Sequence, residues 1–160
     1  MDLNPNNLYD YANEMSLGDE VLVDMIDTTD DGKNIWDNYS EEKFILLMRE
    51  EVRQGNHTYA TFNNVGWRNI TEGMMVETGQ TYTNKQLRSK FNQLRAIHED
   101  FKILLSETGV GYNAKSGMLV MEDERWECLT KVLKYGKKIC KKGCKHFEKL
   151  SAIFGDTHAT

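Results

Sequence analysis

Residues 83–105 read TNKQLRSKFNQLRAIHEDFKILL and contain neither glycine nor proline. Apolar side chains and one histidine recur there at spacings of three and four, which predicts an amphipathic helix. The members of this stripe are Leu87, Phe91, Leu94, His98, Phe101 and Leu105. Thr83 or Asn84 can cap the start of the helix by accepting a backbone N–H bond. We expect His98 to be a packed histidine rather than a catalytic base.

The other side of this helix is polar and, in its first half, basic. The residues opposite the stripe, at about 100° per residue, are Lys85, Ser89, Asn92 and Ala96. Arg88 and Arg95 fall on one flank and Lys90 on the other, and the first acids are Glu99 and Asp100. Such a face suits the major groove of DNA, but a solvated surface has the same composition. If the face reads DNA, we expect that part to end near Arg95 and residues 97–105 to pack against later elements.

The charge of the chain is divided between its two ends. Residues 1–42 contain twelve Asp/Glu and one Lys, whereas residues 43–160 contain thirteen Asp/Glu and nineteen Lys/Arg. We interpret residues 1–34 as an acidic, largely disordered arm. Its alternative uses are an inert leader, which we favour, an interaction segment, or a strap that masks the basic domain. An acidic arm before a basic domain is typical of nucleic-acid-binding or regulated proteins.

Several classes of protein do not fit this sequence. It has no run of 18 apolar residues and no secretory signal, so we expect no membrane association. Three cysteines do not suggest a disulfide framework and favour a reducing, intracellular compartment. The spacing of Cys128, Cys140, Cys144 and His146 differs from that of zinc sites, so we expect no metal. No nucleotide-binding loop or nucleophile motif is present, so we expect neither an enzyme nor a cofactor.

The remaining periodicity predicts an all-α fold with short loops. The predicted helices before and after residues 83–105 are 40–54, 65–77, 122–133 and 145–154, and 118–121 is a short apolar run that could be extended. The first three helices form a trihelical core over residues 35–108, of which the last two make a helix-turn-helix variant. Residues 109–160 form a C-terminal extension with one or two helices.

A series of short motifs runs in order through residues 35–159. They are Trp36, Glu50-Glu51-Val52-x-x-Gly55-Asn56, Gly66-Trp67-x-x-Ile70, Thr78-Gly79-x-x-Tyr82-Thr83, Gln86-Leu87-x-x-Lys90-Phe91-x-x-Leu94, Leu104-Leu105-x-x-x-Gly109-x-Gly111-Tyr112, Asp123-Glu124-x-Trp126 and Leu150-x-x-Ile153-Phe154-Gly155. In this order they resemble the plant Myb/SANT-like DNA-binding domain of Harbinger-type transposon accessory proteins and of plant proteins derived from them. Two features depart from the family pattern. Phe91 replaces the usual third Trp, and the Pro that usually follows the helix-four Trp is absent, which leaves the path of the basic segment open.

The resemblance implies a nuclear protein that binds double-stranded DNA with its third helix in the major groove. Such a protein would be a transcriptional, chromatin or transposon-derived regulator. The alternative is a protein–protein interaction adaptor that recruits a transposase-derived, chromatin or signalling partner. Family members that bind proteins tend to carry an acidic third helix, so the basic first half of this one favours DNA.

Candidate contacts follow from residue type and place in the helix. Base edges would be read by Lys85, Arg88, Ser89 and Asn92, because Arg–guanine and Asn–adenine pairs are geometrically favoured. Phosphates would be bound by Lys90, Arg95 and Arg68. Five lysines near the C-terminal end are a candidate phosphate-binding or nuclear-import cluster: Lys137, Lys138, Lys141, Lys142 and Lys145. We expect core packing, rather than stacking on single-stranded bases, for Trp36, Trp67, Phe91 and Trp126.

Overall fold

The computed structural model describes residues 34–58 and 60–155, and the chain divides into two units, Met1–Glu41 and Glu42–Thr160. The helices, numbered in chain order, are α1 (Asn38–Arg53), α2 (Asn64–Thr78), α3 (Asn84–Leu105), α4 (Asp123–Val132), α5 (Gly136–Lys142) and α6 (Phe147–Leu150), and a π-helical turn, Ser151–Gly155, continues α6. Two short strands, β1 (Gly111–Asn113) and β2 (Met118–Val120), pair in an antiparallel hairpin. The predicted all-α, Myb/SANT-like architecture is confirmed, with this hairpin as a small addition. Most of the acidic arm lies outside the described residues.

Helix α1 begins two residues before the predicted start because Asp37, rather than Ser40, provides the cap. The Asp37 carboxylate accepts a hydrogen bond from the Ser40 N–H at 2.8 Å, which satisfies one of the unpaired donors of the first turn. At the other end, the buried Glu51 carboxylate accepts from the side-chain amides of Asn56 at 2.7 Å and Asn69 at 3.1 Å. This carboxylate therefore ties the end of α1 to α2.

Helix α2 lies close to α1 because one of its residues has no side chain. A Cβ added at Gly73 would lie 2.6 Å from the nearest Leu47 side-chain carbon, well inside van der Waals contact. Asn63 caps the helix start by accepting the Gly66 N–H at 2.8 Å, and Gly79 ends it in the left-handed conformation. Both ends agree with the sequence-based bounds to within one residue.

The buried core draws on the helices before and after α3. Its most deeply buried side chains, less than 2 % exposed, include Phe44, Ile45, Met48, Ile70, Met74, Leu87, Phe101, Leu104, Ile139, Leu150 and Ile153. Helix α3 packs against α5, α6 and the π-helical turn. The expectation that its second half packs against later elements is thus confirmed.

The C-terminal part contains two elements that the sequence reading did not include. Strand β1 lies where only tight turns were expected, and α5 lies in the basic segment whose path was left open. The expected final helix is shorter, because a π-helical turn takes over at Ser151. Each element is only three to seven residues long, which is too short for a periodic signal.

Candidate nucleic-acid interface

The start of α3 is fixed by a reciprocal pair of hydrogen bonds. The Thr83 hydroxyl accepts the Gln86 N–H at 3.1 Å, and the Gln86 side chain accepts the Thr83 N–H at 2.9 Å. This capping box satisfies two donors that the first helical turn would otherwise leave unpaired. The turn that carries Lys85 is therefore held in place without help from another element.

The outward face of α3 carries the four side chains proposed to read bases. Lys85 and Asn92 are exposed, and Arg88 and Ser89 are half-buried. No acidic residue occurs in the helix before Glu99. The face that the structure turns to solvent is therefore cationic and rich in amide and hydroxyl groups, as the helical spacing predicted.

Arg88 lies over an aromatic ring of the neighbouring helix. Its guanidinium carbon is 4.8 Å from the centre of the Trp67 ring, and Trp67 is buried and donates its indole N–H to the Thr61 hydroxyl at 3.2 Å. A cation over such a ring gains about 0.5–1 kcal/mol at an exposed site. Within the described ranges, no side chain forms a hydrogen bond or ion pair with this guanidinium, so its planar fork of donors is held in position and available.

Arg95 is more deeply engaged with the protein itself. It donates to the carbonyl of Ala60, and its guanidinium carbon lies 4.7 Å from the ring centre of Phe91 and 5.9 Å from that of Phe154. Burial lowers the pKa of Arg95, an effect that Glu99 partly offsets, and an arginine remains charged after such a shift. The contacts with Ala60 and Phe154 could not be predicted from the sequence, because these residues lie in a loop and near the end of the described residues.

The remaining candidates for phosphate contact lie in different environments. Arg68 is exposed on α2. Lys90 is buried, only 4 % exposed, and its ammonium donates to the Gln93 side chain at 2.9 Å. Its expected place on an open flank is corrected, because Lys90 lies about 160° from Asn92 around the helix axis, on the packed side. We therefore remove Lys90 from the candidate contacts.

The structure also places the lysine cluster and the aromatic residues. The five lysines of the cluster, in α5 and just after it, are all exposed. Trp36, Trp67 and Phe91 are buried, and Phe91 meets Trp67 edge to face at 5.6 Å. Trp126 is only half-buried, and α4 has no buried residue. Trp126 was expected in the core. It lies instead at the margin of the core, because no residue of α4 is buried.

These features define a class of protein: a helix-turn-helix domain whose third helix presents a basic, acid-free face. The sequence model of the Myb/SANT-like DNA-binding domain matches residues 35–128, more than half of the chain. The chain belongs to the Myb/SANT-like DNA-binding domain family.

The chain is also similar to a curated protein whose name includes a MYB domain. The chain is 24 % identical over 94 residues to the L10-interacting MYB domain-containing protein of Arabidopsis thaliana. The matched part is 59 % of this chain but only 21 % of the relative, so the chain corresponds to about a fifth of that protein's length. No solved structure matches the chain.

Among residues 34–58 and 60–155, no helix is long and apolar enough to cross a membrane. The same residues contain no group of three or more metal-binding side chains.

Proposed function

We propose that this protein binds double-stranded DNA with helix α3 in the major groove. Lys85, Arg88, Ser89 and Asn92 contact base edges, and Arg95 and Arg68 contact phosphates. The protein acts in the nucleus as a regulator of transcription or chromatin, or as a component derived from a transposon. This proposal follows the family's name for the domain and the composition of the outward face of α3.

The observation that carries the proposal is the position of Arg88. Its guanidinium is held over Trp67, and no described residue uses its donors. A guanidinium in the middle of a polar helix face, with its donors unused by the described residues, is suited to the paired O6 and N7 acceptors of guanine.

A selection of bound duplexes from a random pool, followed by titration of the enriched duplex, tests this proposal. We expect one enriched sequence that contains guanine, and an affinity that falls steeply as salt is added, because each neutralised phosphate releases counterions. Failure to retard any duplex at low salt would exclude DNA binding. If duplexes are retarded but no sequence is enriched, the protein binds phosphates only, and base reading by α3 is excluded.

The alternative function, a protein–protein adaptor, is favoured by exposed apolar side chains on α2. Val65, Met75 and Val76 are 43 %, 44 % and 80 % exposed. The name of the Arabidopsis thaliana relative states an interaction with another protein. On this proposal the domain recruits a transposase-derived, chromatin or signalling partner through α2.

The two functions are distinguished by substitutions on different helices. If α2 is an adaptor surface, Val76→Ser should abolish the co-purification of a partner protein that stays bound after nuclease treatment, and it should leave the affinity for DNA unchanged. Arg88→Ala should do the reverse if α3 reads DNA. Partner capture that depends on Arg88 rather than Val76 would assign α3, not α2, to the adaptor function.

A further inference from the structure

Helix α5 and the short segment that follows it carry a second basic surface, which we name the lysine face. It consists of Lys137, Lys138, Lys141, Lys142 and Lys145, all exposed. The side of α5 away from these lysines is packed, since Gly136 and Ile139 are buried. Segment 134–147 contains no acidic residue. In the described part of the chain, no residue forms a salt bridge with Lys137, Lys141, Lys142 or Lys145.

The lysine face is fixed to α3 rather than carried on a tail. The Tyr135 N–H, just before α5, donates to the carboxylate of Asp100 in α3 at 2.9 Å. Ile139, in the middle of α5, is fully buried. Helix α5 also packs against strand β2.

The end of α5 is held by a close backbone contact with the hairpin. The Cys144 N–H donates to the Gly117 carbonyl at 2.8 Å. A Cβ at Gly117 would lie 2.6 Å from the Cys144 carbonyl carbon, and Gly117 has a φ of +77°. Only glycine therefore allows this approach, and the lysine face is anchored at both ends.

The anchor places α5 on the flank of α3 that the arginines do not occupy. Around the helix axis, Asp100 lies about 80° from Asn92 in one direction, and Arg88 and Arg95 lie about 40° and 60° from it in the other. Along the axis, Asp100 is about 12 Å beyond Asn92. The outward face of α3 thus has the arginines on one side, and α5, which carries the lysine face, begins on the other.

A helix in a major groove about 12 Å wide has a phosphate backbone on each side. We infer that the lysine face binds the phosphates of one DNA strand while Arg88 and Arg95 face the other strand. This inference rests on the proposed DNA binding. It extends the DNA-binding surface beyond residues 35–128, which match the family. Because lysine contacts to phosphate are independent of base identity, the lysine face contributes affinity and salt dependence without contributing sequence preference.

The test compares two full-length variants that each lose two positive charges. Lys137→Gln with Lys141→Gln changes the lysine face, and Arg49→Gln with Lys115→Gln changes exposed cations of α1 and the hairpin turn. Binding to the enriched duplex is measured by fluorescence anisotropy at salt concentrations from about 50 to about 200 mM, over which an affinity that depends on phosphate contacts falls strongly. The slope of log affinity against log salt should fall by about 1–2 for the lysine-face variant and by much less for its control.

Each outcome decides a different question. A slope equal to that of the control, with wild-type binding intact, would overturn the inference and leave the proposed function standing. Absence of wild-type binding would overturn both. An unchanged slope with lost nuclear accumulation would overturn the inference and assign the lysines to an import receptor. If the first variant melts below the control, Lys142→Gln with Lys145→Gln repeats the test, and an unchanged slope there has the same meaning.

Discussion

Residues 84–95 and residues 97–105 belong to one continuous helix but have different surroundings. In the first part, Lys85 and Asn92 are exposed and no acid is present. In the second part, five of nine residues are buried: Ile97, His98, Asp100, Phe101 and Leu104. Both parts contribute to the core, since Leu87, Phe91 and Leu94 of the first part are buried as well, but only the first part presents a polar, acid-free face.

The aromatic contacts of the second part show how this support is built. The His98 Nε2 atom and the Ser151 hydroxyl form a hydrogen bond at 2.9 Å. The His98 ring stacks on that of Phe147, with 5.0 Å between the ring centres. The Phe101 ring lies 4.6 Å from that of Phe147. Because His98 is 1 % exposed, its expected role as a packed histidine is confirmed. The difference between the two parts teaches that the length of α3 open to a partner is limited by the elements that pack on its C-terminal half.

The largest effect should come from the packed half. Phe101→Ala removes a fully buried ring and should lower the free energy of unfolding by about 3–5 kcal/mol, because a cavity is left in the core. Urea denaturation measures this change. Asn92→Ala, at an exposed position of the same helix, should change it by no more than about 0.5 kcal/mol. Equal losses in the two variants would contradict the burial of Phe101 and the exposure of Asn92.

The buried carboxyl of Asp100 should make the packed half sensitive to pH. Burial raises the pKa of Asp100 to about 6, while the Tyr135 N–H lowers it, Glu99 raises it and Lys134 lowers it by smaller amounts. The folded state thus holds the proton more tightly than the unfolded state. The stabilisation that the protonated Asp100 carboxyl gives to the folded state is complete below about pH 4. It is lost as the pH rises through 6, which lowers the free energy of unfolding by about 3 kcal/mol.

Asp100→Asn tests this sign. Its side chain stays neutral, so the free energy of unfolding of this variant, minus that of the wild type, should increase between pH 4 and pH 7. Thermal or urea unfolding at several pH values gives the difference. A difference that is constant with pH would contradict the raised pKa.

Arg88→Ala should weaken binding to the enriched duplex by about 1–3 kcal/mol and relax the preference at one base pair. Stability should fall by at most about 1 kcal/mol, the value of the lost contact with Trp67. Anisotropy titration and urea denaturation separate the two effects. Arg49→Ala, an exposed cation of α1, is the matched control, and an equal loss of affinity there would argue against base reading by Arg88.

The smallest effect should come from the cap of α3. Thr83→Ala removes one partner of the capping box and should cost about 1 kcal/mol. Hydrogen exchange should quicken in the first turns of α3 and stay unchanged after residue 97. The exposed Thr81 provides the control Thr81→Ala. Uniformly faster exchange along α3 would show that its halves do not open separately.

Much of this arrangement could be predicted from the sequence because its signals are local. Caps and stop signals gave the bounds of α1, α2 and α3 to within two residues, and the stripe that begins at Leu87 gave the packed side of α3. Helix α5 was missed because Ile139 and Cys140 are the only apolar residues between its flanking glycines. Strand β1 was missed because three residues cannot show an alternating pattern.

The contacts of the candidate site were harder to predict because they depend on distant residues. Arg95 meets Ala60 and Phe154, which are 35 and 59 positions away (95 − 60 and 154 − 95). Lys90 was placed on an open flank because charge usually implies exposure, although helical spacing alone puts it on the packed side. The sequence marked Asp100 only as one of the first acids of the helix, whereas its carboxylate accepts the backbone N–H just before α5.

The division of α3 is tested most directly by a nuclear magnetic resonance titration of the ¹⁵N-labelled full chain with the enriched duplex. We predict that the largest amide shifts occur at Lys85–Asn92, with smaller shifts at Lys137–Lys142 and little change at residues 97–105. Shifts concentrated at Val65, Met75 and Val76, or at residues 97–105, would contradict the claim that the first half of α3 is the DNA-reading surface.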